Sequence, residues 1–199
     1  DLILGDRGYC HREAVAHVLG QRGNVILRLS SSSFPLLNAN RKTPFELLPH
    51  LRRLQRHLPG GWPVRFAAKG KLWPIRLCAL RKTQLAADRA KAKILKEAYK
   101  KRIQVRPETL EAAEYISVLT SLAPSVLADH EVLGLYRARW QVELCFKRLK
   151  SLFRLGHVPK TSDLSARAWI EGKLLTALLI ERLLTEASLE HACTRVREV

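Results

Sequence analysis

The chain has 199 residues, 47% of them hydrophobic, and a formal net charge of +17 at pH 7 with a pI near 10.3. That apolar content supports a buried core and excludes a disordered chain, while so basic a domain calls for a polyanionic partner, nucleic acid being the commonest. The most apolar run, Leu174 to Leu184, is short and carries Glu181 and Arg182, which excludes a membrane span, and four scattered cysteines (Cys10, Cys78, Cys145, Cys193) without a CxxC pair exclude a zinc site or a disulfide framework.

Residues 1 to 6, an apolar run ending in an acid, read as a strand that passes into a tight turn at Arg7-Gly8-Tyr9. The spacing of Ala14, Val18 and Leu19 predicts a helix over 11 to 20 that stops at Gly20, and Asn24 to Leu29 a second buried strand. Strand, helix and strand in quick succession predict a parallel crossover. Residues 31 to about 82 change character. Several prolines and glycines are followed by two or three strands over 62 to 82, with a turn at Lys69-Gly70-Lys71 and Ile75, Leu77 and Ala79 alternating with Arg76 and Cys78. Thr83 is placed to cap a long helix from Gln84 to about Gln104, with Arg89, Lys93, Lys96, Lys100 and Lys101 on its exposed face. Such a face is either merely solvated or in contact with nucleic acid. Strand character returns over 114 to 120, and a helix is expected from about Ala128 to Leu155. A loop from Gly156 to Ser165 and a final apolar helix near Ala166 to Ala187 complete the chain. No secretory signal is expected. The lack of methionine and the strand-like start suggest a fragment of a longer protein.

The helix after Ala128 carries the chemistry. At about 100° per residue, Tyr136, Arg139, Glu143 and Lys150 fall within an arc of roughly 60°, and Lys147 and Arg154 extend it. Leu135, Val142, Phe146, Leu149 and Phe153 form a neighbouring apolar stripe that is expected to face the core. One carboxylate among cations suits a phosphate-handling metal site, the acid holding a divalent ion and the cations gripping phosphates. The same spacing suits an ordinary ladder of ion pairs, Arg139 to Glu143 to Lys147. Asp6 has two readings as well. It sits at the carboxyl end of a strand, where α/β sheets hold their chemistry, and equally where an acid caps a turn.

Tyr136, Arg139, Glu143 and Lys150 resemble the YREK signature of the insertion sequence four family of transposases, and Asp6-Arg7-Gly8-Tyr9 resembles that family's second catalytic aspartate motif. The resemblance spans nearly the whole chain. It implies an α/β, ribonuclease H-like core, incomplete at its N-terminus and built from 1–30 and 114–199, with 31–113 as a β-rich insertion carrying the long basic helix. It implies a DDE transposase with Mg²⁺, or Mn²⁺ as substitute, held by Asp6 and Glu143 as the second and third acids. Tyr136, Arg139 and Lys150 would contact transposon-end phosphates, and helix geometry adds Lys147 to them. End cleavage and strand transfer into target DNA would follow, performed by a homodimer in the cytoplasm at the bacterial nucleoid, with no membrane partner.

The first catalytic aspartate is not found in this sequence. Asp1, five residues from Asp6 on one strand, would point to the opposite face. The chain is therefore expected to bind metal weakly and to lack transposase activity. A non-catalytic DNA-binding remnant of a transposase is the competing reading, and a basic ribosomal or RNA-chaperone protein a third. Trp62 and Trp73 read as packing residues of a small sheet, with base stacking the alternative. An active site requires the Asp6 and Glu143 carboxyls to approach within about 4 to 8 Å, close enough to share metals.

Overall fold

The run Leu-Ile-Leu-Gly forms strand β1 (Leu2–Gly5), and Asn24–Arg28 forms β2 parallel to it, with Leu4 opposite Ile26. A parallel pair needs a crossover, which helix α1 (Arg12–Gly20) supplies after a 3-10 turn at Arg7–Tyr9. The computed structural model describes residues 1–30, 33–40, 43–151, 154, 157–158 and 162–197, without the side chains of 145, 148 and 184–197. It divides into two units, 1–139 and 140–199.

In the first unit, β3 (Leu37–Asn38), β4 (Gly60–Ala68), β5 (Lys71–Arg81) and β6 (Tyr115–Thr120) join β1 and β2 in one six-stranded sheet of order β1-β2-β6-β5-β4-β3. Every pairing after the first is antiparallel. Strands from the segment read as an insertion thus extend the sheet of β1 and β2 rather than building one apart from it. The β4–β5 hairpin turns at Lys69 and Gly70, both at positive φ (51° and 69°), the conformation a tight two-residue hairpin turn demands.

Helices α2 (Leu47–Arg52) and α4 (Pro107–Ala112) were not legible in the sequence, being short and punctuated by proline; Pro49 and Pro107 stand in first turns, where a missing N–H costs nothing. Helix α3 (Gln84–Lys101) starts as expected, the Thr83 hydroxyl accepting from the Ala86 N–H. It stops at Arg102, which takes a left-handed conformation. Its five named cations are all exposed.

Both faces of the sheet are covered. On one, α1 packs Val15 and Ala16 against Val25, Leu27, Val64, Phe66, Leu77 and Leu119. Val18 and Leu19 pack there only partly and Ala14 is exposed, so the buried stripe of α1 lies to one side of the predicted one. On the other face, Ile26, Cys78 and Val118 meet Val132, Leu133 and Tyr136 from the start of α5 (Asp129–Ser151). Cover on both sides explains why β2 reads as an unbroken apolar run.

It also accounts for β5, where Arg76 and Cys78 are buried along with Ile75, Leu77 and Ala79 because α5 roofs their face. In α5 the predicted apolar stripe is not the core face. In the first unit Leu135 is 38% exposed, whereas Tyr136 is 5% exposed, since the start of the helix lies on the sheet through the neighbouring stripe with Val132 and Leu133. Phe153 lies outside the described residues. Trp62 and Trp73 pack partly buried against the core.

The N-terminus of α5 is fastened by a buried ion pair. Arg76 on β5 donates to Asp129 Oδ1 and to the Leu127 carbonyl, each at 2.6 Å, and the Cys78 thiol donates to the same carboxylate oxygen. Gly61 makes room for it, because a Cβ there would strike the Asp129 carboxylate.

The second unit holds α5 from Trp140 onward and α6 (Asp163–Arg197), which starts within the segment predicted as a loop. No described helix is long and apolar enough to cross a membrane. Cys10 and Cys78 are buried free thiols; the side chains of Cys145 and Cys193 lie outside the described residues.

Candidate active site

Strands β1, β2 and β5 run in one direction, so their carboxyl ends share one edge of the sheet. Side chains two residues apart share a face. Leu4, Ile26 and Leu80 all belong to the cluster under α5, and two residues beyond each stands a charged residue: Asp6, Arg28 and Lys82. The edge is thus apolar beneath and ionic at its rim.

Asp6 occupies the junction between β1 and the 3-10 turn. Its Oδ1 accepts the Arg7 N–H at 2.7 Å, which is the cap, and also the Tyr136 hydroxyl at 3.3 Å, across 130 residues of sequence. Tyr136 is held by its ring in the core beneath α5, and the Arg139 guanidinium lies 5.5 Å from the centre of that ring. Asp6 is therefore both a turn cap and the meeting point of the two sequence motifs.

The electrostatics follow from this packing. Partial burial alone would raise the Asp6 carboxyl, but the Arg7 N–H, the charges of Arg139 and Arg28 and the Tyr136 hydroxyl outweigh it and hold the acid below the ordinary carboxylate range. Burial, with the Asp6 charge next, raises the Tyr136 phenol, which stays a donor. Lys82 is pushed down to about 8 by burial and by the charges of Arg28 and Arg7. Its ammonium donates to the Ala113 carbonyl at 2.6 Å, while Arg28 Nε is buried without a hydrogen-bond partner.

Of the residues singled out in the sequence, Asp6, Tyr136 and Arg139 come together in the first unit. Glu143, Lys147 and Lys150 are exposed on α5 in the second unit. Arg28 and Lys82 escaped the sequence reading. Their signal was the first charged residue in phase with the buried face at the end of a strand. Asp6 suits a hard divalent cation: it is held ionised, and Oδ2 accepts no hydrogen bond among the described residues. No group of three His, Cys, Asp or Glu side chains able to hold a metal occurs among the described residues.

The mixed α/β domain thus presents an ionised aspartate at a sheet edge, backed by a tyrosine and an arginine from one long helix. Residues 1–179 match the transposase DDE domain, and the chain belongs to that family. Among its relatives is the putative transposase InsL of insertion sequence element IS186A from Escherichia coli K12, 32% identical over 190 residues, or 92% of this chain and 51% of that protein. The transposase of insertion sequence element IS421, also from Escherichia coli, has the same identity and coverage. The transposase of IS1151 from Clostridium perfringens is 29% identical over 80 residues, 40% of this chain and 17% of its own length. The chain spans about half the length of the first two relatives.

Proposed function

We propose that this chain is part of the catalytic core of a DNA transposase that cleaves element ends and joins them to target DNA. Asp6 and Glu143 serve as two of its metal-binding acids. The observation that carries this reading is the hydrogen bond between Tyr136 and Asp6: the first residue of the YREK motif fastens the aspartate of the other motif. Family membership and a net charge of +17 support it. The fold expected is the ribonuclease H-like core, with 31–113 as its insertion.

Each residue then has a defined task. Asp6 stays ionised at neutral pH, with Oδ2 accepting no hydrogen bond among the described residues; Tyr136 holds Oδ1, and with it the plane of the carboxylate. Glu143 lies seven residues beyond Tyr136, two turns of an ideal helix, and so follows it along one side of α5. Arg139, Lys147 and Lys150 grip phosphates, which fixes where a strand lies without reading its bases. A bound Mg²⁺ would supply Lewis-acid activation of the attacking oxygen and stabilisation of the leaving one. Homodimer formation and action on both ends and target belong to this reading of the whole protein, as does work at the bacterial nucleoid.

Iron-directed cleavage tests the shared site. Fe²⁺ substitutes for Mg²⁺ and, with ascorbate and peroxide, cuts backbone near its ligands. Cuts near both residue 6 and residue 143, both lost in Asp6→Asn and in Glu143→Gln and suppressed by Mg²⁺, are expected. Cuts near only one of them would separate the two acids and leave the second reading, a polycationic DNA-binding remnant.

A further inference from the structure

Arg28 lies within electrostatic reach of Asp6, of Arg7 and of Lys82, and Arg7 within reach of Lys82 as well. Ordinary surface charge is not arranged so. Among the described residues no salt bridge joins Arg7, Arg28 or Lys82 to any acid. The nearby Glu114 is already engaged, by Lys91 at 2.6 Å and Arg81 at 3.1 Å. Arg28 and Lys82 are half-buried, on the strand face that α5 covers, and each has donor capacity unspent: Lys82 has one hydrogen bond, to Ala113, and Arg28 Nε has none. Crowding like charges at a partly dry sheet edge is costly and leaves the edge in want of an anion.

Arg7 also lines a hollow of about 710 Å³ with Arg106, Glu46, Glu108, Ser30 and Ser117, which opens on the sheet face away from α5 and is not part of this rim. A phosphodiester matches this edge better than a protein carboxylate does. Arginine binds its oxygens in a planar fork, and lysine adds a point charge.

We propose that Arg28 and Lys82, flanked by Arg7, form a seat for one DNA phosphate at the strand-end rim beside Asp6, separate from the phosphate grips of Arg139, Lys147 and Lys150. The seat rests on the DNA reading above. It would hold the strand at the sheet edge beside Asp6 and so fix where the bond to be cut lies relative to that acid.

The test uses the full 199-residue chain and a labelled 30-base-pair duplex with a single-stranded fork. Lysine acetylation by a small reagent, read by mass spectrometry, follows Lys82 in the unmutated protein. Saturating DNA is expected to slow Lys82 at least about fivefold and to leave Lys69, in the hairpin turn, within about twofold. In parallel, Lys82→Gln and Arg28→Gln each lower the slope of log affinity against log salt by about one, with Lys82→Arg restoring it. Unchanged Lys82 reactivity in saturated complexes would overturn the seat while leaving DNA binding intact, and so would equal slowing of Lys69 and Lys82. A chain that binds no DNA would remove the proposed function, and the seat with it.

Discussion

Asp6 shows how one side chain serves structure and chemistry together. A carboxylate that caps a 3-10 turn would do so with either oxygen, yet a buried tyrosine shares Oδ1 with the cap, and Oδ2 accepts no hydrogen bond among the described residues. Tyr136→Phe keeps the ring in its apolar bed and removes only the hydroxyl. The Asp6 pKa should then rise toward the usual carboxylate range, with stability changing by about 1 kcal/mol or less. Carbon-detected NMR titration of the Asp6 carboxyl checks it, and an unmoved pKa would show that the hydroxyl contributes nothing there. Lys82 provides the opposite sign. Its pKa falls from 10.5 to about 8 on folding, so between those values the unfolded chain holds a proton the native one has released. Stability from this group therefore grows as pH rises through that window and is at its lowest below about 8. Lys82→Met abolishes the effect, so the stability of the variant relative to the parent should decline from pH 8 to 10.5 in urea melts.

At the scale of elements, what matters is how α5 is set on the sheet. Apolar contacts from Val132, Leu133 and Tyr136 can be made at several positions along a helix, but the Arg76–Asp129 pair admits one register. The Arg76 side chain is 9% exposed, so removing its partner leaves a buried unpaired charge. Asp129→Ala should cost about 3 kcal/mol, whereas replacing both members by leucine should cost much less, since an apolar pair of similar volume needs no solvation. Denaturant unfolding of the single and double variants separates these outcomes. Gly61→Ala should cost about 1–3 kcal/mol by forcing the Asp129 carboxylate aside, with the helix start displaced. If Gly61→Ala proves neutral, the close approach is not essential.

For the whole molecule, charge sets the behaviour. The chain carries +17. On the proposed reading it should bind DNA with affinity that falls steeply with salt, and with only two acids assigned, Asp6 and Glu143, it is expected to leave end DNA uncut in Mg²⁺ or Mn²⁺. Gel analysis of end-labelled duplexes decides this; robust cleavage that disappears in Glu143→Gln would overturn the expectation of inactivity. The second unit exposes Trp140, Val142 and Phe146 on α5 and Leu175, Leu178 and Leu183 on α6, a larger apolar exposure than solvated helices ordinarily carry.

Local patterns determined much of this by themselves. Helical spacing put Tyr136, Arg139, Glu143 and Lys150 on one stripe, apolar runs marked β1 and β2, and a hydroxyl before Gln84 marked the start of α3, all because backbone periodicity and capping depend on neighbours in sequence. Only tertiary structure decided that Tyr136 is buried with its hydroxyl on Asp6, that Arg76 is interior, and that Arg28 and Lys82 join the rim. Those facts depend on strand order and on which stripe of α5 meets the sheet. Both are set by contacts between residues far apart in the chain, which no local period encodes.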